Sequence, residues 1–311
     1  MNKNDTYLIV GANSTFGKSI FKELKNQNYK NLYILNLKSN DDYNLNKIKI
    51  KIINIQPKYV FLTYGFSGGI NANQLFPADM MFDNLFYNSF FIKIFSQIKV
   101  KKIVYFSSSC IYPNQIKTPL KPKMLLTGDV EDTSRYYSIA KLSNMYLGQS
   151  FNKQYKSNFV TVIPSNYFGD SDSYKKNNSH MISSLIKRIH EAKIKNKKVV
   201  EIWGTGKPIR DFTHLNNLAK LSIKIMHDKR ISNTFINLTS GNKYSVKQVA
   251  NFLKKIIGYK GKLIFNSNKK DGTLKKVLDN SEMIKYNLPY KEDFYDLLKL
   301  TYISYKNYYN K

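Results

Sequence analysis

The chain has 311 residues, 42% of them hydrophobic, which suits one large or two modest domains around a sizeable core. Its one cysteine excludes an internal disulfide and fits a reducing cytoplasm, and neither the polar lead MNKNDTY nor the polar-broken apolar run 80–100 reads as a secretory signal or a membrane span. The net charge is +29, yet only four of the 50 basic residues are arginine (Arg135, Arg188, Arg210, Arg230), so the lysine excess reads as solvated surface that attracts anions in general rather than as a nucleic-acid interface.

The first predicted unit is TYLIVGANSTFG (6–17): a strand, a tight turn and the start of a helix, with Ile20 and Leu24 following at helical spacing. Gly11 and Gly17 stand six apart, like the outer glycines of a turn whose bare backbone and helix N-terminus accept a pyrophosphate. The middle glycine is replaced by Ser14, a residue suited to capping a helix. Gly11, Asn13, Ser14, Thr15, Phe16 and Gly17 are therefore candidate dinucleotide contacts. The second strand, LYIL (32–35), runs on into Asn36 and Lys38, where a cofactor with a free ribose 2′-hydroxyl usually meets an acidic residue. Asp41 and Asp42 lie too far on, which tilts the cofactor towards NADP(H).

A helix from Asn44 and a strand YVFLTY (59–64) come next. A long helix over 78–98 carries Met80, Met81, Leu85, Phe86, Phe90, Phe91, Ile94, Phe95 and Ile98, wider than one core-facing stripe, so a second face is expected to be covered as well. The strand KIVYF (102–106) runs into FSSSCIYP. Continued strand alternation would put Ser108 and Cys110 on one face and Ser107 and Ser109 on the other. A helix over 136–155 and a strand NFVTVIPSN (158–166) complete an alternation that predicts an α/β, Rossmann-type doubly wound parallel sheet. Beyond Gly169 we expect a helix over 180–193, a strand KVVEIW (198–203), INLTSG (236–241) returning to the sheet, and an amphipathic helix over 246–257. The expected division is a dinucleotide-binding domain over 1–168, with 208–240 returning to it, and a smaller α/β substrate domain from 169–207 and 241–311. His190 and His227 read as surface helix residues and His214 as a structural hydrogen-bonder. No His/Cys/Asp/Glu spacing suggests a metal.

Tyr137-Ser-Ile-Ala-Lys141 places a phenol and an ammonium on one helix face. The pattern Y-x-x-x-K occurs four times, at Tyr43, Tyr137, Tyr295 and Tyr302, about the number that this composition produces by chance. Only Tyr137 opens the helix after the fourth strand and follows a serine-bearing strand end. Lowering a phenol from its usual pKa of about 10 to neutrality takes roughly 4 kcal/mol. An ammonium about 4 Å away, at an effective dielectric of about 20, supplies energy of that order.

Together these residues resemble the GDP-L-fucose synthase family of extended short-chain dehydrogenases/reductases. SSCIYP (108–113), YSIAK (137–141), PSNYFG (164–169), NNSHMI (177–182), WGTGKPIRDFTH (203–214) and KKDGTLKKVLD (269–279) follow the family's order, with GGINAN (68–73) and PADMMFDNL (77–85) ahead of them. The resemblance implies a reductase triad of Ser108, Tyr137 and Lys141, with Cys110 and His180 as base and acid of an epimerisation. It also implies Pro164 and Asn166 at the cofactor, and Asn166, His180, Lys187, Trp203, Arg210 and Lys276 along the path of a GDP-linked 4-keto-6-deoxy-sugar. Asn13 and Lys38 stand where the family has arginines for the 2′-phosphate, Asn216 replaces an acidic residue and Lys270 a proline. The activity implied is NADPH-dependent reduction at C4 after inversion at C3 and C5. The alternatives are a reductase alone, acting on a GDP-4-keto-6-deoxy-heptose beside a separate epimerase, and a non-catalytic NADP-binding regulator, which loss of Tyr137 or Lys141 would have favoured. A homodimer through helices 78–98 and 136–155 is also implied.

Overall fold

A computed structural model describes residues 2–37, 44–170, 172, 174, 179–269, 271–288 and 293–309. Runs of β-branched and aromatic residues form β1 (Tyr7–Val10), β2 (Leu32–Leu35), β3 (Tyr59–Leu62), β4 (Lys102–Phe106) and β5 (Phe159–Pro164). Between them lie α1 (Thr15–Asn26), α2 (Leu45–Ile55), the short α3 (Ile70–Leu75), α4 (Pro77–Gln97) and α5 (Arg135–Tyr155). Side-chain caps start two of these helices: Ser14 accepts from the Gly17 N–H and Asn44 from the Lys47 N–H. Pro77, whose missing N–H costs nothing in a first turn, opens α4.

The remaining chain adds β6 (Asn166–Phe168), α6 (Met181–Ile194), β7 (Val199–Trp203), β8 (Ile209–His214), α7 (Leu215–His227), β9 (Phe235–Leu238), β10 (Asn242–Ser245), α8 (Val246–Ile257), β11 (Lys262–Asn266), β12 (Lys275–Lys276), α9 (Ser281–Lys285) and α10 (Phe294–Tyr309). The main sheet has six parallel strands in the order β2-β1-β3-β4-β5-β9. β8 pairs with β6, β10 and β12 in a second sheet, and β7 with β11 in a third.

Period-two alternation divides the main sheet's side chains between two cores. Leu8, Val10, Val60, Leu62, Ile103 and Tyr105 pack against α2, α4 and α5 through Ile52, Phe91 and Met145. Tyr7, Ile9, Tyr59, Phe61, Val104 and Phe106 face α1, α7 and α9 through Leu24, Leu218 and Met283. A third core joins α6, α8 and α10 to β7 and β8, through Ile186, Leu253, Leu298, Ile202 and Phe212. A parallel sheet covered on both faces opens to ligands at the carboxyl ends of its strands, and the candidate site lies there.

Two histidines depart from expectation. His190 is buried under α10, with Nδ1 3.0 Å from the Tyr302 hydroxyl, because α10 covers the face of α6 that carries it. His227 ends α7 within an aromatic cluster, its Nε2 3.3 Å from the Tyr7 hydroxyl and 3.1 Å from that of Tyr29. His214 matches its reading, capping α7 by accepting from the Asn216 N–H.

Candidate active site

Gly11 has φ +83°, and a Cβ there would lie 2.7 Å from the Tyr64 backbone; one on Gly17 would lie 2.2 Å from the Gly11 carbonyl oxygen. Both positions demand glycine: the first for its left-handed backbone, the second for the close approach of helix and turn. Ser14 caps α1 and donates to Thr63 Oγ1 at 3.2 Å, tying the turn to the end of β3. The Asn13 N–H donates to Asn36 Oδ1 at 2.9 Å, and its side-chain amide faces the Leu37 carbonyl at 3.5 Å. The turn is thus bare backbone at a helix N-terminus, a cradle that a Cβ would fill, and it fits a dinucleotide pyrophosphate. At the end of β2 stands the amide Asn36, with no carboxylate for a ribose 2′-hydroxyl among the described residues there. Lys38, Asp41 and Asp42 lie outside the described residues. Thr15 begins α1, and Phe16 turns inward against Phe106 at 5.0 Å and Tyr167 at 4.5 Å between ring centres.

Strand geometry stops at Phe106, which corrects the expected alternation through 107–110. Ser109–Ile111 is a 3-10 turn capped by Ser108, whose Oγ accepts from the Cys110 N–H at 3.2 Å. Ser108 and Cys110 are nonetheless both half-buried while Ser107 and Ser109 are buried, through the turn rather than a pleat. Ser108 also lies close enough to the Tyr137 hydroxyl to lower its pKa. One turn along α5, Lys141 extends beneath this pair; its Nζ donates to the Phe106 carbonyl at 3.1 Å and lies 5.0 Å from the Tyr105 ring centre and 5.9 Å from that of Tyr137.

The charge balance differs from the simple expectation that Lys141 lowers the phenol. Burial raises Tyr137 above its usual range, the nearby Cys110 adds to this, and the Ser108 hydroxyl pulls back. Burial also brings Lys141 down to about 7. Desolvation acts on both groups, so the phenol is held as a proton donor rather than as a phenolate.

Cys110 is free and faces a charged cluster. Lys276 Nζ lies 4.0 Å from its Sγ and 3.1 Å from Glu131 Oε2. Thr133 and Thr273 donate to the same carboxylate; burial opposes its charge, but Lys276 and these hydroxyls hold it below the usual carboxylate range. Arg210 donates through Nη1 to the carbonyls of Ile209 at 3.0 Å and Thr273 at 2.6 Å, and burial lowers it despite Glu131, Cys110 and Asp271 nearby. His180 caps α6; its Nδ1 sits 2.8 Å from Asp172 Oδ1, whose carboxylate is fully buried and also accepts from the Ser183 hydroxyl. The ring lies 4.6 Å from that of Tyr167, whose phenol is held neutral by burial and, beyond that, by its proximity to Asp172, Tyr137 and Cys110. The structure thus brings Ser108, Tyr137, Lys141, Cys110, Arg210 and Lys276 together, with His180 reached through Tyr167.

Pro164 ends β5, and Asn166 opens β6, donating to the Asp211 carbonyl at 3.3 Å. Lys187 on α6 donates to the Tyr174 carbonyl at 3.2 Å and lies 3.9 Å from Glu191. Trp203 is 66% exposed at the end of β7, with the Lys269 ammonium 5.4 Å from its ring centre. Both stand apart from the Cys110 cluster among the described contacts. Sequence reasoning missed Glu131, Asp172, Tyr167 and Asp271. The signal available for Glu131 was scarcity, since the chain has only 21 acidic residues and this one lies six before Tyr137.

The profile of the NAD dependent epimerase/dehydratase family matches residues 7–238. The GDP-L-fucose synthase of Escherichia coli (strain K12) is 37% identical over 228 residues, 71% of each chain. GDP-L-fucose synthase 1 of Arabidopsis thaliana is 31% identical over 304 residues, 97% of this chain and 93% of the relative. Among solved structures, a GDP-mannoheptose C4 reductase from Campylobacter jejuni with NADP bound superposes with a TM-score of 0.87 at 30% identity, covering 98% of this chain and 99% of the other.

Proposed function

The chain belongs to the NAD dependent epimerase/dehydratase family and, within it, to the GDP-L-fucose synthases, and on that premise we propose that it reduces the C4 ketone of a GDP-linked 4-keto-6-deoxy-sugar with NADPH after inverting C3 and C5. The carrying observation is the gathering of Ser108, Tyr137 and Lys141, whose Nζ lies 5.9 Å from the Tyr137 ring centre, at the carboxyl edge of the sheet beside the Gly11–Gly17 turn. The turn, Asn13 and the ends of β4 and β5 are the residues that would hold the dinucleotide; bound there, NADPH supplies the hydride. Ser108 and Tyr137 donate hydrogen bonds to the ketone oxygen, which stabilises charge developing on it. Tyr137, kept protonated by burial, gives its proton to the alkoxide, and the Lys141 ammonium offsets the phenolate left behind. The polarised ketone also acidifies C3–H and C5–H. Cys110 removes those protons as a thiolate, and His180 returns protons from the opposite face, its ring held by Asp172.

The likeness to a GDP-mannoheptose C4 reductase favours a second reading, in which the substrate is a heptose and a separate enzyme epimerises it. The two are separated by incubation with GDP-4-keto-6-deoxy-mannose and NADPH in deuterated water. We expect a reduced GDP-sugar with deuterium at C3 and C5. Reduction of only a pre-epimerised substrate, without that label, would leave the reductase alone; failure to oxidise NADPH with any 4-keto GDP-sugar would sink both readings.

We assign dinucleotide binding to the main sheet and sugar-nucleotide binding to the portion built on the third core. The protein acts as a homodimer through α4 and α5, whose packed pair leaves Phe82, Phe86, Tyr136 and Ile139 exposed. Among the described residues no helix is long and apolar enough to cross a membrane.

A further inference from the structure

Three candidates lie outside the reductase triad. One is the exposed apolar face of α2, with Ile50 and Ile53, where nothing indicates an occupant. Another is the cleft between α7 and α10, lined by His214, Lys220 and Leu300, with polar groups that converge on no single point. The third is the charged cluster on Cys110, and it carries an argument.

Lys276 is the ammonium that bridges the thiol and a carboxylate: 4.0 Å to Cys110 Sγ, 3.1 Å to Glu131 Oε2. Both charged side chains are largely covered, with 13% exposure for Lys276 and 16% for Glu131, so solvent screens them far less than a surface pair. Glu131 is fixed in turn, by Thr133 on its own turn and by Thr273 two residues past Asp271. Other groups facing Cys110 are Tyr137 of α5, Tyr167 of β6 and Arg210 of β8; Arg210 also lies near Asp271. Both tyrosines are held as neutral phenols by burial, and Arg210 is engaged with backbone carbonyls. That leaves Lys276 as the cation in hydrogen-bond range of the sulfur among the described contacts, and Glu131 as the group that determines how much of its charge the sulfur receives.

We propose that Lys276 is the counter-ion of the Cys110 thiolate and that Glu131 is a positioning residue that holds Lys276 against the sulfur while tempering its charge. The proposal deepens the reading of Cys110 as the proton-abstracting group.

Because Cys110 is the sole cysteine, alkylation by iodoacetamide reports on it alone and needs neither substrate nor turnover. Rates would be followed by mass spectrometry from pH 6 to 9 and referred to each variant's own rate after unfolding in urea. Lys276→Met is expected to slow alkylation of the folded chain by about tenfold near neutrality and to move the rise in rate to higher pH. Glu131→Gln keeps a hydrogen-bond partner for Lys276 but removes the offsetting charge, and is expected to speed alkylation several-fold and move the rise to lower pH. A pair that only holds the loop together predicts the same sign for both variants, since loosening either side exposes the sulfur. Equal rates in all three proteins, or changes of one sign, overturn the proposal; if Lys276→Met alkylates at its unfolded rate, Lys276→Gln takes its place under the same criterion. Opposite shifts in alkylation, together with absence of deuterium exchange in the wild type, would uphold this arrangement and reject the epimerase reading alone.

Discussion

At the scale of single residues, the site is built from charged groups that burial disfavours, and Lys141 is the sharpest case. Its folded pKa of about 7 lies well below the usual 10.5, so between those values the unfolded chain carries a proton that the folded chain does not. Stability therefore rises with pH across that window, by about 1.4 kcal/mol per unit at most, and is lowest below pH 7, where the folded state must hold a buried ammonium. Lys141→Met should abolish reduction yet unfold at an equal or higher temperature than the wild type at pH 7, with the difference shrinking by pH 9; a thermal melt series at both values checks this, and a Met variant that melts lower at pH 7 would contradict it. The turn shows the opposite economy. Gly11→Ala sets a Cβ 2.7 Å from the Tyr64 backbone at φ +83°, and should cut dinucleotide affinity at least tenfold by titration calorimetry, with a loss of stability of about 1–3 kcal/mol. Residues of this kind were readable because their chemistry is local: the glycines sit in one turn, and Tyr137 and Lys141 on one helix face. Glu131 and Asp172 were not, because their partners Lys276 and His180 lie on other elements and meet them only through the fold.

At the scale of elements, the strands and helices that periodicity picked out stand within about three residues of their expected places, while β8, β10, β11 and α10 were not read from the sequence and α7 was given no bounds. The strands LYIL and KIVYF and the helix over 246–257 stand where periodicity put them, and α4 and α5 begin one residue earlier than expected. The serine run after β4 was the error: polar residues leaving a strand can alternate in exposure through a capped turn as well as through a pleat, and period alone does not separate the two. The end of α7 shows what else the pattern concealed. His227 closes this helix with its ring among Tyr7, Tyr29 and Tyr59, and burial lowers it to about 4. Lys102, brought down to about 8 by burial, donates to the carbonyl of Ile225 in the last turn and to that of Asp228 just beyond it. A histidine with a folded value below its usual 6.5 contributes stability that is fully present above that pH and is lost as pH falls towards 4, because the unfolded chain takes up the proton first. His214, also about 4, acts in the same direction; Asp211, raised to about 6, acts in the opposite one. Against that background His227→Phe should flatten the decline in melting temperature between pH 6.5 and 4.5 relative to wild type, while lowering it at pH 7 through the lost tyrosine hydrogen bonds. An unchanged slope would mean that the ring is solvated in both states.

At the scale of the whole molecule, two properties compete: an apolar face that favours self-association and a net charge of +29 that opposes it. The face runs along α4 and α5, where Phe82 is 60% exposed and stacks on Phe86 with ring centres 5.2 Å apart, beside Tyr136 at 50% and Ile139 at 37%. Their inner sides are already committed. Asn144 of α5 donates to the Asn84 carbonyl of α4 at 2.8 Å and Ser89 donates back to Asn144 at 3.1 Å, so the pair is one rigid unit with a second, uncovered side. Four large apolar side chains left exposed on one packed helix pair suit a partner surface, and two copies meeting through such pairs, as proposed, would bury them in a four-helix contact. Replacing Phe86 by Glu puts a charge at the centre of that contact, and should halve the mass measured by light scattering while costing the monomer itself no more than about 1 kcal/mol of stability, since the ring is 40% exposed. The charge adds a second, independent expectation. Like-charged copies repel over roughly 10 Å at 0.1 M salt and over about 3 Å at 1 M, so a dimer held by this apolar face, as proposed, should strengthen as salt is raised. A contact held by ion pairs would weaken instead, and a mass that stays monomeric from low to high salt at micromolar concentration would reject the dimer altogether.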